Sequence, residues 1–284
     1  MDTGVGPGPS GPTEFDPGTM GDGEFHLLPP YNGAAPELQV DPKVPKGTVT
    51  PDMMVPSKLY PGRNFVYRIY VPAQYDKGHP AALMVTQDGY QFVDRFKVAY
   101  DNLIAAKKVP ITIIVFVDPT DRKAQRSEQY DTVSAKYGDF VMQELLPPIK
   151  ATYNITDDPA GRALSGNSSG GIAAFLVAWY KPEAFHRVLT SSGTFVNIKG
   201  GNKCPMMIMD AEKKPLRVYL SSSEGDNGGW LPANKAMSAA LMAKGYHQRF
   251  IWGDKSIPHG GGPMFNGDLP TALEWLWRGY RQPQ

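Results

Sequence analysis

The sequence predicts an α/β fold: a mostly parallel central sheet with helices on both faces, built as a single domain. Three observations carry that expectation. Ala81–Thr86 and Ile111–Val117 are continuous apolar runs with β-branched residues, as strands buried on both faces of a parallel sheet require. Segments of helical spacing separate the strand-like runs, and repeated β-α units wind a parallel sheet right-handedly. A length of 284 residues suits one large domain with a substantial core better than two independent ones.

The elements follow in chain order. Residues 1–50 are dominated by Gly, Pro, Asp and Thr without a sustained period of 2 or 3.6, so they read as an arm, partly extended or disordered. Apolar residues in Phe25–Tyr31 and Leu38–Val44 suggest that part of this arm packs on the domain, which occupies 51–284. Asn64–Pro72 alternates and predicts the first strand. After the runs at 81–86 and 111–117, further strands are expected at Gly161–Leu164, Arg187–Ser191, Leu216–Leu220 and Phe250–Trp252. Helices are expected at Phe92–Lys107, Lys136–Tyr153, Gly170–Tyr180, Pro232–Lys244 and Asp268–Tyr280. In the second of these, Phe140, Val141, Leu145 and Ile149 recur at helical spacing.

Composition narrows the function. Lys plus Arg total 29 and Asp plus Glu 28, a net charge of +1, so no broad field attracts nucleic acid or anionic lipid. Cys204 is the single cysteine, which excludes an intrachain disulfide, a zinc cysteine cluster and a redox pair. No run approaches the roughly 18 apolar residues of a membrane span. The start Met1-Asp2-Thr3-Gly4 lacks the basic and apolar segments of a signal peptide.

The chemistry-bearing segment is Arg162–Phe175. A short strand runs into Gly166-Asn167-Ser168-Ser169-Gly170 and then directly into an Ala-rich helix. G-x-S-x-G in that setting places a serine on a strained strand-to-helix turn, where flanking glycines let the two elements approach closely. Ser168 is therefore the candidate nucleophile, and its bland alternative is a turn serine capping a helix. Ser165 and Ser169 do not occupy the central position. The helix N-terminus aims free amides at a developing oxyanion, so the Ser169 N–H is one candidate donor. The second is expected just past the strand ending in Thr86, at Gly89 or Tyr90, while Asp88 reads as a turn or cap residue.

A serine hydroxyl needs a base. Of five histidines, His259 alone lies in a Gly-rich loop between the last strand and the final helix. The orienting acid should follow the strand 216–220, where Glu224 and Asp226 compete, and Asp226 is preferred. The order Ser, acid, His is that of α/β-hydrolases. Trp230, just beyond the acid loop, either packs under a loop or flanks the cleft, where an aromatic wall would suit a sugar or phenolic ester.

The chain resembles the enterochelin-esterase-like branch of the esterase D family, relatives of feruloyl and acetyl-xylan esterases. The resemblance runs from about Pro29 to Arg278. It rests on Tyr60-Pro61-Gly62, Val71-Pro72, Gln87-Asp88-Gly89, Arg126–Asp131, Glu144–Pro147, Ser165–Gly171 and His259-Gly260-Gly261 taken in order. It implies an α/β-hydrolase fold and a serine esterase without metal or organic cofactor. The implied substrates are siderophore, hydroxycinnamoyl or carbohydrate-linked esters, whether small or polysaccharide-borne. It also implies Arg126 and Glu128 as residues lining the substrate cleft, against the alternative of a surface ion pair, and a secreted or periplasmic setting. The family includes acyltransferases with the same triad, so transfer is the first alternative function. A non-catalytic binding protein on the same fold is the second.

Overall fold

A computed structural model describes residues 13–31, 35–226, 228–260 and 262–283. Residues 1–12 of the expected arm lie outside the described residues, as do Asn227 and Gly261. Strands β1 (Gly23–His26), β2 (Thr48–Val49), β3 (Met53–Ser57), β4 (Arg63–Val71), β5 (Ala82–Gln87), β6 (Thr112–Pro119), β7 (Arg162–Asn167), β8 (Arg187–Ser191), β9 (Arg217–Gly225) and β10 (His247–Pro258) form one sheet. Its order is β1-β10-β9-β8-β7-β5-β6-β4-β2, with β3 also paired to β4. From β1 to β6 every pairing is parallel; β4 joins β6 antiparallel, and β2 and β3 each join β4 antiparallel. This is the α/β-hydrolase arrangement.

Helices are α1 (Val93–Ala105), α2 (Arg122–Tyr130), α3 (Lys136–Phe140), α4 (Leu146–Thr152), α5 (Ser169–Tyr180), α6 (Cys204–Asp210), α7 (Trp230–Ala243) and α8 (Gly262–Trp277). The period-2 alternation of each central strand divides the interior. Leu83, Val85, Val115, Leu164, Val218 and Leu220 meet Phe140, Phe175 and Leu241 from α3, α5 and α7 on one face. Ala82, Met84, Ile114, Phe116, Ala163 and Tyr219 meet Phe96, Leu103, Leu273 and Leu276 from α1 and α8 on the other. Both faces of the sheet are buried, which is why these strands read as unbroken apolar runs.

Differences from the sequence reading have local causes. The helix expected over 136–153 forms, but a π turn at Val141–Leu145 separates α3 from α4, which begins Leu146-Pro147-Pro148. The two prolines lack the N–H groups that a regular ladder needs there. The last strand is much longer than Phe250–Trp252 and is interrupted between Gly253 and Pro258. The last helix starts at Gly262 rather than Asp268. The segment expected as an arm contributes β1, which extends the sheet beside β10 with Phe25 opposite Ile251. The pairing supplies backbone hydrogen bonds that a four-residue strand does not advertise in its own sequence.

The parallel order has one consequence for function. Strands β5, β7, β8, β9 and β10 all point the same way, so Gln87, Asn167, Ser191, Gly225 and Pro258 end at one edge of the sheet. The segments carrying the candidate residues leave from that edge. Ligands of open α/β sheets bind there.

Candidate active site

Ser168 sits between the last residue of β7 and the first of α5. Its backbone is at φ 56° and ψ −121°, a conformation rare for a residue with a side chain. Two glycines make the turn possible. A Cβ on Gly166 would lie 2.2 Å from the Gly170 carbonyl oxygen, and one on Gly170 would come within 3.0 Å of Asp88 Oδ2. The strained turn is pinned on both sides: the Ser168 N–H donates to the Ser191 carbonyl at 2.9 Å, and its carbonyl accepts from the Thr194 N–H at 3.1 Å. Its hydroxyl is 3.4 Å from Thr194 Oγ1. Ser169 follows as the first helical residue, so its amide belongs to the positive end of α5.

The candidate acid and base come from the loops after β9 and β10. His259 Nδ1 is hydrogen-bonded to Asp226 Oδ1, and the Asp226 side chain is 1% exposed. Ser222 Oγ donates to Asp226 Oδ2 at 2.8 Å. Burial pushes the Asp226 carboxyl upward, but hydrogen bonds from His259, Ser192 and Ser222 outweigh it, and the net effect holds the group below its ordinary value. Glu224, the competing acid, is exposed near the end of β9. Among the described residues, the Ser168 hydroxyl bonds to Thr194 and not to the His259 imidazole. The two lie on adjoining turns nonetheless. Gly260 abuts Asn167, so closely that a Cβ on it would stand 3.0 Å from Asn167 Nδ2.

The candidate oxyanion loop carries a correction. Gly89 is packed so tightly on Phe116 that a Cβ would meet its Cα at 2.6 Å, and Asp88 before it is left-handed at φ 53°. The Tyr90 N–H donates to Asp118 Oδ2 at 3.0 Å and is therefore engaged inside the protein. Of the two amides expected there, Gly89 is the one that this geometry leaves in play. Tyr90 instead places its ring under the Arg68 guanidinium and donates its hydroxyl to Asp52.

Asp88 is no solvated turn residue. It is fully buried, and its carboxylate accepts from Arg126 Nε at 2.8 Å on each oxygen. Arg126 Nη1 also donates to Ser169 Oγ at 2.9 Å, and Ser169 Oγ donates to Asp131 Oδ2 at 3.1 Å. Arg126 was expected to line the cleft; the structure directs its guanidinium to protein partners, where it ties the Gly89 loop to the start of α5. Burial raises the Asp131 carboxyl despite its hydrogen bonds from Ser127 and Ser169. Glu128, the other residue implied for the cleft, is a surface group 64% exposed, paired with Lys199 at 2.7 Å. The Lys199 ammonium lowers its carboxyl.

Trp230 opens α7 and stands edge-on to His259, with ring centroids 5.5 Å apart and planes at 85°. It flanks His259, and its buried Nε1 has no hydrogen-bond partner among the described residues. Among the described residues no group of three His, Cys, Asp or Glu could hold a metal ion, and no helix is long and apolar enough to cross a membrane. Burial pushes the Cys204 thiol up to about 12, which leaves it protonated and unreactive at neutral pH.

Sequence reasoning missed Ser192 and Thr194 at the site, and the pairing of the buried Asp88 with Arg126. Ser192 and Thr194 follow β8, a strand with no recognisable motif. The doubled serines Ser191-Ser192 at a strand end were the only available signal.

A family model described as "Putative esterase" matches residues 59–259. The chain is 30% identical over 236 residues to an iron(III) enterobactin esterase of Dickeya dadantii, an overlap covering 74% of this chain and 51% of that protein. It thus spans about half the length of the curated enterobactin esterases it matches. The fold is similar to that of a crystal structure of the enterobactin esterase from Shigella flexneri, with a TM-score of 0.68 and 21% identity over 87% of this chain and 63% of that one. It is also similar to a ferulic acid esterase from the anaerobic fungus Anaeromyces mucronatus, with a TM-score of 0.67 and 16% identity over 87% and 97% of the two chains.

Proposed function

The chain belongs to the esterase family matched over residues 59–259, and on that premise we propose that it is a serine carboxylic-ester hydrolase working through an acyl-enzyme. The observation that carries the reading is the juxtaposition at the sheet edge of a left-handed Ser168 with the Asp226–His259 pair. Ser168 Oγ attacks the ester carbonyl carbon while His259 Nε2 takes the hydroxyl proton. Asp226 fixes the tautomer through Nδ1 and stabilises the imidazolium. The tetrahedral oxyanion is held by the Ser169 and Gly89 amides. Collapse expels the alkoxide, which receives the proton from His259. Water, deprotonated by the same imidazole, then attacks the acyl-serine and releases the carboxylic acid with Ser168 restored. In the resting site Ser168 is turned to Thr194; catalytic hydrogen bonds commonly tighten only when substrate is bound.

The substrate class follows from two supports. The Dickeya relative is named for an iron(III) siderophore ester and the fungal neighbour for ferulic acid. Trp230 offers an aromatic edge beside His259 against which an aromatic part of the substrate can pack. The proposed substrates are therefore siderophore-type, hydroxycinnamoyl or carbohydrate-linked esters. A screen of p-nitrophenyl acyl esters, methyl hydroxycinnamates, acetylated xylan and catecholate siderophore esters tests the reading. Turnover of at least one class, abolished in Ser168→Ala with the fold intact, is expected. Failure of a fluorophosphonate to label Ser168 in the folded wild-type protein would overturn it.

A further inference from the structure

The hydroxyl of Ser192 sits where two lines of the site cross. It is fully buried just beyond β8 and, like Ser168, has a left-handed backbone, at φ 45°. Its Oγ accepts a hydrogen bond from the Gly260 N–H at 3.1 Å, the residue immediately after His259. The same hydroxyl is among the groups that hold the Asp226 carboxyl below its ordinary value. One oxygen therefore grips the loop that carries the base and bears on the charge of the acid. A hydroxyl can do this because it has one hydrogen to donate and lone pairs to accept with.

Neighbouring hydroxyls repeat the pattern. Ser191 Oγ donates to the Gly260 carbonyl at 3.1 Å, so residue 260 is gripped at both its N–H and its C=O from the end of β8. Ser223 Oγ donates to the Ile257 carbonyl at 2.7 Å. The Ser192 N–H is itself fixed to the Ser221 carbonyl at 2.7 Å. The His259 loop follows an irregular stretch between Gly253 and Pro258 where sheet pairing lapses. It thus takes its position from side-chain hydrogen bonds more than from a ladder.

From this geometry we propose that Ser192 is a positioning residue of the triad: its hydroxyl holds the loop that carries His259 in place against Asp226. The proposal rests on the esterase reading for its kinetic consequence, but not for its structural one. Removing the hydroxyl leaves a loop amide without its acceptor. Such a group holds the base in register as outer hydrogen-bonding partners hold metal-bound histidines. A displacement of the base by about 1 Å costs on the order of 100-fold in rate.

Two substitutions test it. Ser192→Ala removes the hydroxyl and keeps the backbone strain of a side chain at positive φ, whereas Ser192→Gly removes both. The first readout is the downfield proton resonance of the His259 Nδ1–H in the substrate-free protein. The second is the rate of Ser168 labelling by a fluorophosphonate. Both variants should shift or lose the resonance and label about 10- to 100-fold more slowly, with circular dichroism unchanged. A wild-type protein that resists labelling would end the esterase reading, yet the resonance would still decide the role of Ser192. Wild-type resonance and labelling in both variants would overturn the proposal, as would a defect in Ser192→Ala that Ser192→Gly does not share, because strain rather than the hydroxyl would then be responsible.

Discussion

Asp226 and His259, 33 residues apart in the chain, meet through a hydrogen bond to Nδ1, and the carboxylate involved is almost sealed from solvent. This arrangement leaves Nε2 as the ring nitrogen available for proton transfer. It also separates Asp226 from Glu224, two residues upstream but exposed. Asp226→Asn should therefore reduce turnover by about 10³- to 10⁴-fold, through loss of the correct tautomer. Glu224→Gln should stay within about twofold of wild type. Steady-state kinetics on the two variants checks both; the reverse result would move the acid to Glu224.

The lowered Asp226 pKa makes a statement about stability. A carboxyl whose folded value lies below its unfolded value, about 3.9 for an ordinary Asp, contributes stability that is present above the unfolded value. That contribution is lost as pH falls through the folded value. Urea midpoints of wild type and Asp226→Asn should accordingly differ at pH 6 and converge as pH falls below the ordinary Asp range. A gap that stays constant across that range would contradict a depressed folded value.

Arg126 and Glu128 should part company on mutation. Arg126→Met removes the fork that holds the fully buried Asp88 and the Ser169 hydroxyl. Taking the partner from a buried charge costs about 3–5 kcal/mol, and the Gly89 loop should lose its register with α5. Labelling of Ser168 should fall with stability. Glu128→Gln breaks only an exposed pair with Lys199 and should change stability by under about 0.5 kcal/mol. Denaturant unfolding of the two variants measures the contrast.

At Gly166 the expected effect is steric. A Cβ would overlap the Gly170 carbonyl oxygen, which is backbone and cannot step aside. Gly166→Ala should cost about 3 kcal/mol or more and lower Tm by roughly 6–12 °C for a domain of this size, with loss of activity. Scanning calorimetry measures it; a Tm within 2 °C of wild type would mean that the strand-to-helix turn can open.

The amino-acid sequence by itself determined the central strands, the flanking helices and the serine turn. Runs such as Ile111–Val117 and the segment Gly166–Gly170 encode them locally, through burial on both faces and through glycine's lack of a Cβ. Only the tertiary structure paired Asp226 rather than Glu224 with His259, turned the Tyr90 amide toward Asp118, and set the Arg126 guanidinium on Asp88 and the Ser169 hydroxyl. It also brought the Ser192 hydroxyl onto the Gly260 amide, next to His259. The physical reason is directional: apolar burial is summed along a strand and leaves a periodic trace, whereas a hydrogen bond depends on where one atom of a distant loop points.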